Sequence, residues 1–101
     1  MTTATLPTIK IDDSAHRVYV NDKEVHLEPT GYRMLYLFLK YPGKCMSRED
    51  ILDALWGPQA SLELEVRLVD TNVGRIRKVI GKDAITTVVD FGYRFDGKVA
   101  A

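Results

Sequence analysis

Residues 65–82 read EVRLVDTNVGRIRKVIGK, and the spacing of their apolar positions decides how the rest of the chain is read. On a helix, Val66, Val69, Val73, Ile76 and Ile80 recur at steps of three and four and line one apolar stripe, while Arg67, Thr71, Arg75, Lys78 and Lys82 point away from it. From Val66 onward five cations, Arg67, Arg75, Arg77, Lys78 and Lys82, stand against one carboxylate, Asp70, a local charge of +4. One side of such a helix needs a core; the other suits an anion, phosphate above all. A basic amphipathic helix can equally be a solvated face, because Lys and Arg commonly fill exposed positions, so the flanking sequence has to decide.

The 101-residue chain fits one domain around one core. With 46% hydrophobic and 28% charged residues it has the composition of a folded soluble protein. Its 14 Lys and Arg balance its 14 Asp and Glu, so a polyanion site can arise only by segregation of charge. Residues 1–28 carry the opposite sign, with Lys10, Arg17 and Lys23 against Asp12, Asp13, Asp22, Glu24 and Glu28. The single cysteine, Cys45, excludes an intrachain disulfide and reads as a packing thiol. No apolar run approaches the roughly 20 residues that cross a bilayer, and MTTATLPT lacks the regions of a secretory signal, so a cytoplasmic protein with no membrane contact is expected. His16 and His26 have no metal-ligand partners at the right spacing, and no nucleophile-base set or glycine-rich phosphate loop is present. A non-enzyme with neither metal nor cofactor is the expectation.

Taken in order, residues 1–8 read as a linker remnant, residues 9–98 as the domain and residues 99–101 as a tail. Ile9 and Ile11, then Val18 and Val20, alternate with polar neighbours, and Asn21, Asp22 and Lys23 form a tight turn before a third short strand, a meander with one buried face. Glu28-Pro29-Thr30 opens a first helix with Thr30 as its N-cap and Tyr32, Met34, Leu35, Phe38 and Leu39 inward; Tyr41-Pro42-Gly43-Lys44 ends it. Ser47 caps a second helix with Glu49 and Asp50 in its first turn and Ile51, Leu52, Leu55 and Trp56 on its apolar side, stopped by Gly57-Pro58. A polar-to-acidic connector, residues 59–65, leads into the basic helix, which Gly81 terminates. Two short strands, residues 85–89 and 93–95, close the chain. Helix, helix, basic helix, hairpin is the order of a winged helix-turn-helix, an α+β fold.

Three segments carry a more specific likeness: LEPTGYRMLYLFLKYPGKCMSREDILDALWG (residues 27–57), VRLVDTNVGRIRKVIG (residues 66–81) and FGYRF (residues 91–95). Their order and spacing resemble the effector domain of OmpR/PhoB-type response regulators over residues 9–96. The resemblance implies a four-stranded amino-terminal sheet, three helices and a carboxy-terminal wing, with the third helix in the major groove of double-stranded DNA. It implies further partners: an upstream receiver domain, for which about 100 residues leave no room, an RNA polymerase subunit, and a second copy bound head to tail on direct-repeat half-sites.

By position matching, Arg75 is expected to contact a base, with Thr71, Asn72 and Asp70 near the base edges; Asp70 reads equally as a carboxylate that orients an arginine. Arg67, Arg77 and Lys78 are expected on phosphates, with Thr86 and Thr87 as hydroxyl donors and Trp56 either at the backbone or in the core. Tyr93 and Arg94 belong to the wing. Gln59, Leu62, Glu63 and Glu65 lie in the connector where the family meets polymerase. The chain departs from the family at Leu68, at Gly74 where an arginine is common, and at the wing tip, where Val89 and Asp90 replace Arg and Gly. A glycine inside a helix costs roughly 1 kcal/mol relative to alanine. These departures keep open a second reading, a winged helix that binds protein and has lost DNA.

Overall fold

The computed structural model describes residues 6–100, apart from the side chains of Ser61 and Glu63. Three strands come first, β1 (Thr8–Asp12), β2 (Arg17–Val20) and β3 (Lys23–Val25), paired antiparallel as the alternation predicts, with Ile9 and Val18 buried on the inner face. The second turn is tighter than expected. Asn21 and Asp22 alone make it, both left-handed (φ 51° and 69°), and Lys23 already pairs with Val20. That two-residue geometry matches the twist of hairpin strands, and Asn and Asp are the non-glycine residues that best tolerate it.

Helix α1 (Pro29–Lys40) corrects the expected N-cap: Glu28, not Thr30, holds that position. Pro29 is the reason, since its fixed φ suits the first helical residue and its missing N–H would have had no intrahelical partner there. Helix α2 (Arg48–Trp56) begins as expected, with the Asp50 amide donating to Ser47 Oγ at 3.0 Å, and ends at Gly57 with φ 107°. The connector is not all loop. Ala60–Glu63 winds a single turn, α3, entered through a left-handed Gln59 (φ 73°) and pinned by a buried Ala60; four residues are too few for periodicity to reveal.

Helix α4 (Arg67–Ile80) buries Val69, Val73, Ile76 and Ile80 in one cluster with Met34, Leu35 and Phe38 of α1 and Ile51 and Leu52 of α2. Val66, counted on that stripe, stands at the N-cap and is exposed. Each fully buried aliphatic side chain contributes about 1.5–3 kcal/mol, whereas an exposed ion pair contributes at most about 1. The apolar stripe therefore sets the orientation of α4, and its charged side follows.

The closing hairpin, assembled as expected, gains a third strand. With β5 (Ile85–Val88) and β6 (Gly92–Phe95), the pair Met46–Ser47 forms β4, in the order β4-β6-β5. Gly92 permits this: a Cβ there would come within 2.0 Å of the Met46 carbonyl oxygen. A seventh strand, β7 (Lys98–Val99), runs parallel to β1 with Lys98 opposite Thr8 and Val99 opposite Ile9, giving the order β3-β2-β1-β7. The four-stranded sheet implied by resemblance thus takes its last strand from the other end of the chain, and the boundary drawn after residue 98 falls within that strand.

One carboxylate ties α2, α4 and the hairpin together. Asp70 Oδ1 accepts from Arg48 Nε at 2.7 Å and from the Tyr93 hydroxyl at 2.5 Å, and the guanidinium carbons of Arg48 and Arg77 lie 5.1 and 5.5 Å from the centre of the Tyr93 ring. Burial opposes ionisation of Asp70, but the Tyr93 and Arg48 bonds and the Arg48 charge outweigh it and hold the carboxyl below its ordinary value. Burial, then the Asp70 contact, pushes the Tyr93 phenol up.

Two outcomes follow. Gly92→Ala should lower stability by roughly 1–3 kcal/mol through backbone overpacking, read as a lower urea midpoint; an unchanged midpoint would rule out the β4–β6 contact. Because the folded pKa of Asp70 lies below its unfolded value, this carboxylate adds stability that is complete above about pH 4 and is lost as pH falls through the folded value. Thermal melts from about pH 6 to about pH 3 should show Asp70→Asn starting lower than wild type and losing less on acidification, and parallel curves would remove Asp70 from the account.

Candidate nucleic-acid interface

With its apolar stripe in the core, α4 turns a row of residues at steps of four, three and four outward: Arg67, Thr71, Gly74 and Lys78, with Arg75 beside them. Arg67, Thr71, Arg75 and Lys78 are all exposed. The carboxylates near this row are held loosely. Arg67 approaches Glu65 at 3.8 Å and Arg75 approaches Glu28 at 3.7 Å, each between two exposed side chains, and such pairs are weak and screened by salt. Among the described residues Lys78 forms no ion pair. The cationic face of α4 is available to an external anion.

Several expected contacts lie elsewhere. Asn72, placed at the base edges by its number, is 4% exposed and donates from Nδ2 to the Leu68 carbonyl at 2.9 Å. Its spacing of three from Val69 and four from Ile76 already put it beside the apolar stripe. Asp70 turns towards Arg48 and Tyr93, the geometry that the orienting alternative calls for. Arg77 is committed to the hairpin: Nε and Nη2 reach the Ile85 carbonyl at 3.2 and 2.7 Å, and Nη2 reaches Thr87 Oγ1 at 2.9 Å. Thr86 donates its hydroxyl to the Asp96 carboxylate, so it has no proton to offer a phosphate; Thr87 accepts from Arg77 and keeps its own. Thr71 Oγ1 bonds back to the Arg67 carbonyl at 3.1 Å, staying low on an exposed surface.

On the hairpin, Tyr93 is buried and faces α4, so it is a strut and not a probe of the surroundings. Arg94 makes a two-point contact with Asp96, Nε to Oδ1 at 2.7 Å and Nη2 to Oδ2 at 2.9 Å. The Arg94 bond, against burial and aided by the Thr86 hydroxyl, holds the Asp96 carboxyl below its ordinary value. The tip itself is Val89-Asp90-Phe91, with Val89 81% and Phe91 47% exposed and Asp90 left-handed (φ 62°). It presents apolar surface and a carboxylate where a cation would be needed to meet phosphate.

Trp56 is half-buried, packed on the core edge above a cleft it shares with Pro58, Gln59, Ala60 and Leu64. Gln59 and Glu65 are exposed, Leu62 is 79% exposed, and the side chain of Glu63 lies outside the described residues. His16 stacks on Tyr32, ring centres 3.9 Å apart, and the Tyr32 hydroxyl donates to Asp13 at 2.8 Å. Burial, then that carboxylate, pushes the Tyr32 phenol up to about 12. Among the described residues no three His, Cys, Asp or Glu side chains are grouped to hold a metal ion, and no helix is long and apolar enough to cross a membrane. Arg48 and Glu28 were not legible as site residues, because each meets its partner on α4 only through tertiary packing.

Comparison with known proteins agrees with this geometry. A family model described as "Transcriptional regulatory protein, C terminal" matches residues 22–95. The phosphate regulon transcriptional regulatory protein PhoB of Rhizobium meliloti is 37% identical over 92 residues, 87% of this chain and 40% of that protein; the chain thus spans about two fifths of the length of the curated relatives it matches. The response regulator DrrB of Thermotoga maritima, described as an OmpR/PhoB homolog, superposes with a TM-score of 0.74 at 32% identity, covering 86% of this chain and 41% of that one. The RstA DNA-binding domain of Klebsiella pneumoniae, crystallised in complex with the RstA box, gives 0.76 at 26% identity over 95% of this chain and 98% of that one. By fold, by the match over residues 22–95 and by these relatives, the chain belongs to the family of C-terminal domains of OmpR/PhoB-type transcriptional regulatory proteins.

Proposed function

We propose that the chain is the DNA-binding effector domain of a two-component response regulator, acting in the cytoplasm with α4 in the major groove of a duplex. The observation that carries this reading is the outward row of α4, whose cations Arg67, Arg75 and Lys78 have, among the described residues, no ion-pair partner stronger than a long, exposed carboxylate. A helix fits the major groove, where arginine can hold guanine through two hydrogen bonds. Arg75 and Thr71 face base edges in this reading, Arg67 and Lys78 take phosphates, and the Thr87 hydroxyl adds a neutral contact. The Asp70–Tyr93–Arg77 set fixes the hairpin beside the helix rather than touching DNA. RstA, bound to its box, supports the assignment by likeness.

One such domain makes few base contacts, so two copies placed head to tail on direct-repeat half-sites would supply the affinity that one lacks. A receiver domain joined upstream would control that pairing. The connector offers a further contact: Leu62 and Leu64 project from α3 and its end, with Glu65 next to them, an apolar and acidic surface suited to a basic groove on an RNA polymerase subunit. The alternative, a protein-binding winged helix without DNA, draws on the apolar, acidic tip at Val89-Asp90-Phe91.

Selection of duplexes from a random pool, then titration at several salt concentrations, tests the main reading. Affinity should fall linearly in log-log form as salt rises. Arg75→Ala should cost about 1–3 kcal/mol and relax the preference at one base, whereas Lys78→Ala should weaken all duplexes alike and lower the salt slope by about one. Absence of binding at low salt would transfer the assignment to the protein-binding alternative. For the connector, Leu62→Ser should leave duplex affinity intact and reduce activated transcription, and full activation by this variant would exclude a polymerase contact there.

A further inference from the structure

Gly74 occupies the middle of the outward row of α4 without a reason inside the protein. Its backbone is helical, so it needs no left-handed freedom, and a Cβ built on it meets nothing within 4 Å. Packing does not require the missing side chain, and helix propensity disfavours it. No neighbour fills the gap either. Asp70, one turn before, is held by Arg48 and Tyr93, and Arg77, three residues on, is held by Ile85 and Thr87. Thr71 lies folded onto the Arg67 carbonyl. The result is a half-exposed stretch of backbone at Gly74, with no side chain over it, between long exposed cations.

We infer that Gly74 is the point of closest approach between α4 and base-pair edges, a specificity-determining position at which the absence of a side chain is the recognition feature; this rests on the DNA reading given above. The dimensions fit. Arg67 and Lys78 are eleven residues apart, about 16.5 Å along the axis at 1.5 Å per residue, so on a helix seated in a major groove about 12 Å wide they stand towards its two ends with Gly74 between them. Long cations at both ends reach phosphates while the backbone between them approaches the floor. Glycine serves close backbone approach in this way wherever a ligand must touch the main chain. The contact is apolar and shape-based, and the group it best accommodates is a base edge bearing a methyl, that of thymine.

The test uses the 101-residue chain with a duplex selected from a random pool and an unrelated duplex of equal length. Gly74→Ala should raise the melting temperature, weaken the selected duplex by about ten-fold or more, the effect of forcing a methyl into a packed contact, and leave the unrelated duplex unchanged. Gly74→Lys should weaken the selected duplex further while strengthening the unrelated one through its charge. Equal affinity of wild type and Gly74→Ala for the selected duplex would overturn the inference and leave the DNA reading standing, as would equal losses on both duplexes, which would mean approach to the sugar-phosphate chain instead. A gain on both duplexes with Gly74→Lys would overturn it too. Failure of wild type to bind any duplex would overturn the reading and the inference together.

Discussion

Two oriented hydrogen bonds and one charge converge on Asp70, and the relation between α4 and the hairpin depends on them. The apolar stripe of α4 fixes which way the helix faces, but hydrophobic contact is non-directional and leaves the hairpin some freedom to swing. The Arg48 and Tyr93 bonds to a single carboxylate oxygen remove that freedom. Arg77, its guanidinium 5.5 Å from the centre of the Tyr93 ring and bonded to the Ile85 carbonyl, braces the same joint. Side chains that look suited to DNA by their number in the helix are consumed here so that others can be held in position. Positioning and contact are divided between neighbouring faces of one helix.

That division explains how a chain with 14 cations and 14 carboxylates can present a basic surface. Charges that would cancel Arg67 and Arg75 sit at 3.8 and 3.7 Å in solvent, where water and salt screen them. The tight pairs, Arg48 with Asp70 and Arg94 with Asp96, are spent at joints within the fold. An external polyanion would therefore compete at Arg67 and Arg75 against weak pairs. The carboxylate at the tip, Asp90, places the opposite sign where the hairpin reaches furthest out, so the basic surface ends at the helix.

Much of this was legible in the sequence because it depended on period. Val69, Val73, Ile76 and Ile80 announced their burial, and the Ser47 cap, the Gly57 stop and the hairpin could be read from local chemistry. Three short elements could not: β4, α3 and β7 lack the alternation or turn signals that marked the other short strands, and exist through pairing or packing partners distant in the chain. The site was legible in outline and not in its assignments. The exposure of Arg75 and Lys78 was legible from their face, but the internal partners of Arg77, Asp70 and Thr86 depend on where the hairpin lands, which no spacing in α4 records.

The pairing of β7 with β1 has a consequence for the chain in solution. It makes β1 an interior strand and leaves the first sheet bounded by β3 and β7, three and two residues long, bearing Lys23, Glu24 and Lys98. With zero formal charge and an isoelectric point near 6.7, these molecules have little mutual repulsion to keep them dispersed. A long, flat, open strand would then be a template for runaway edge-to-edge pairing. Borders this short, carrying Lys23 and Lys98, give such pairing little length to build on.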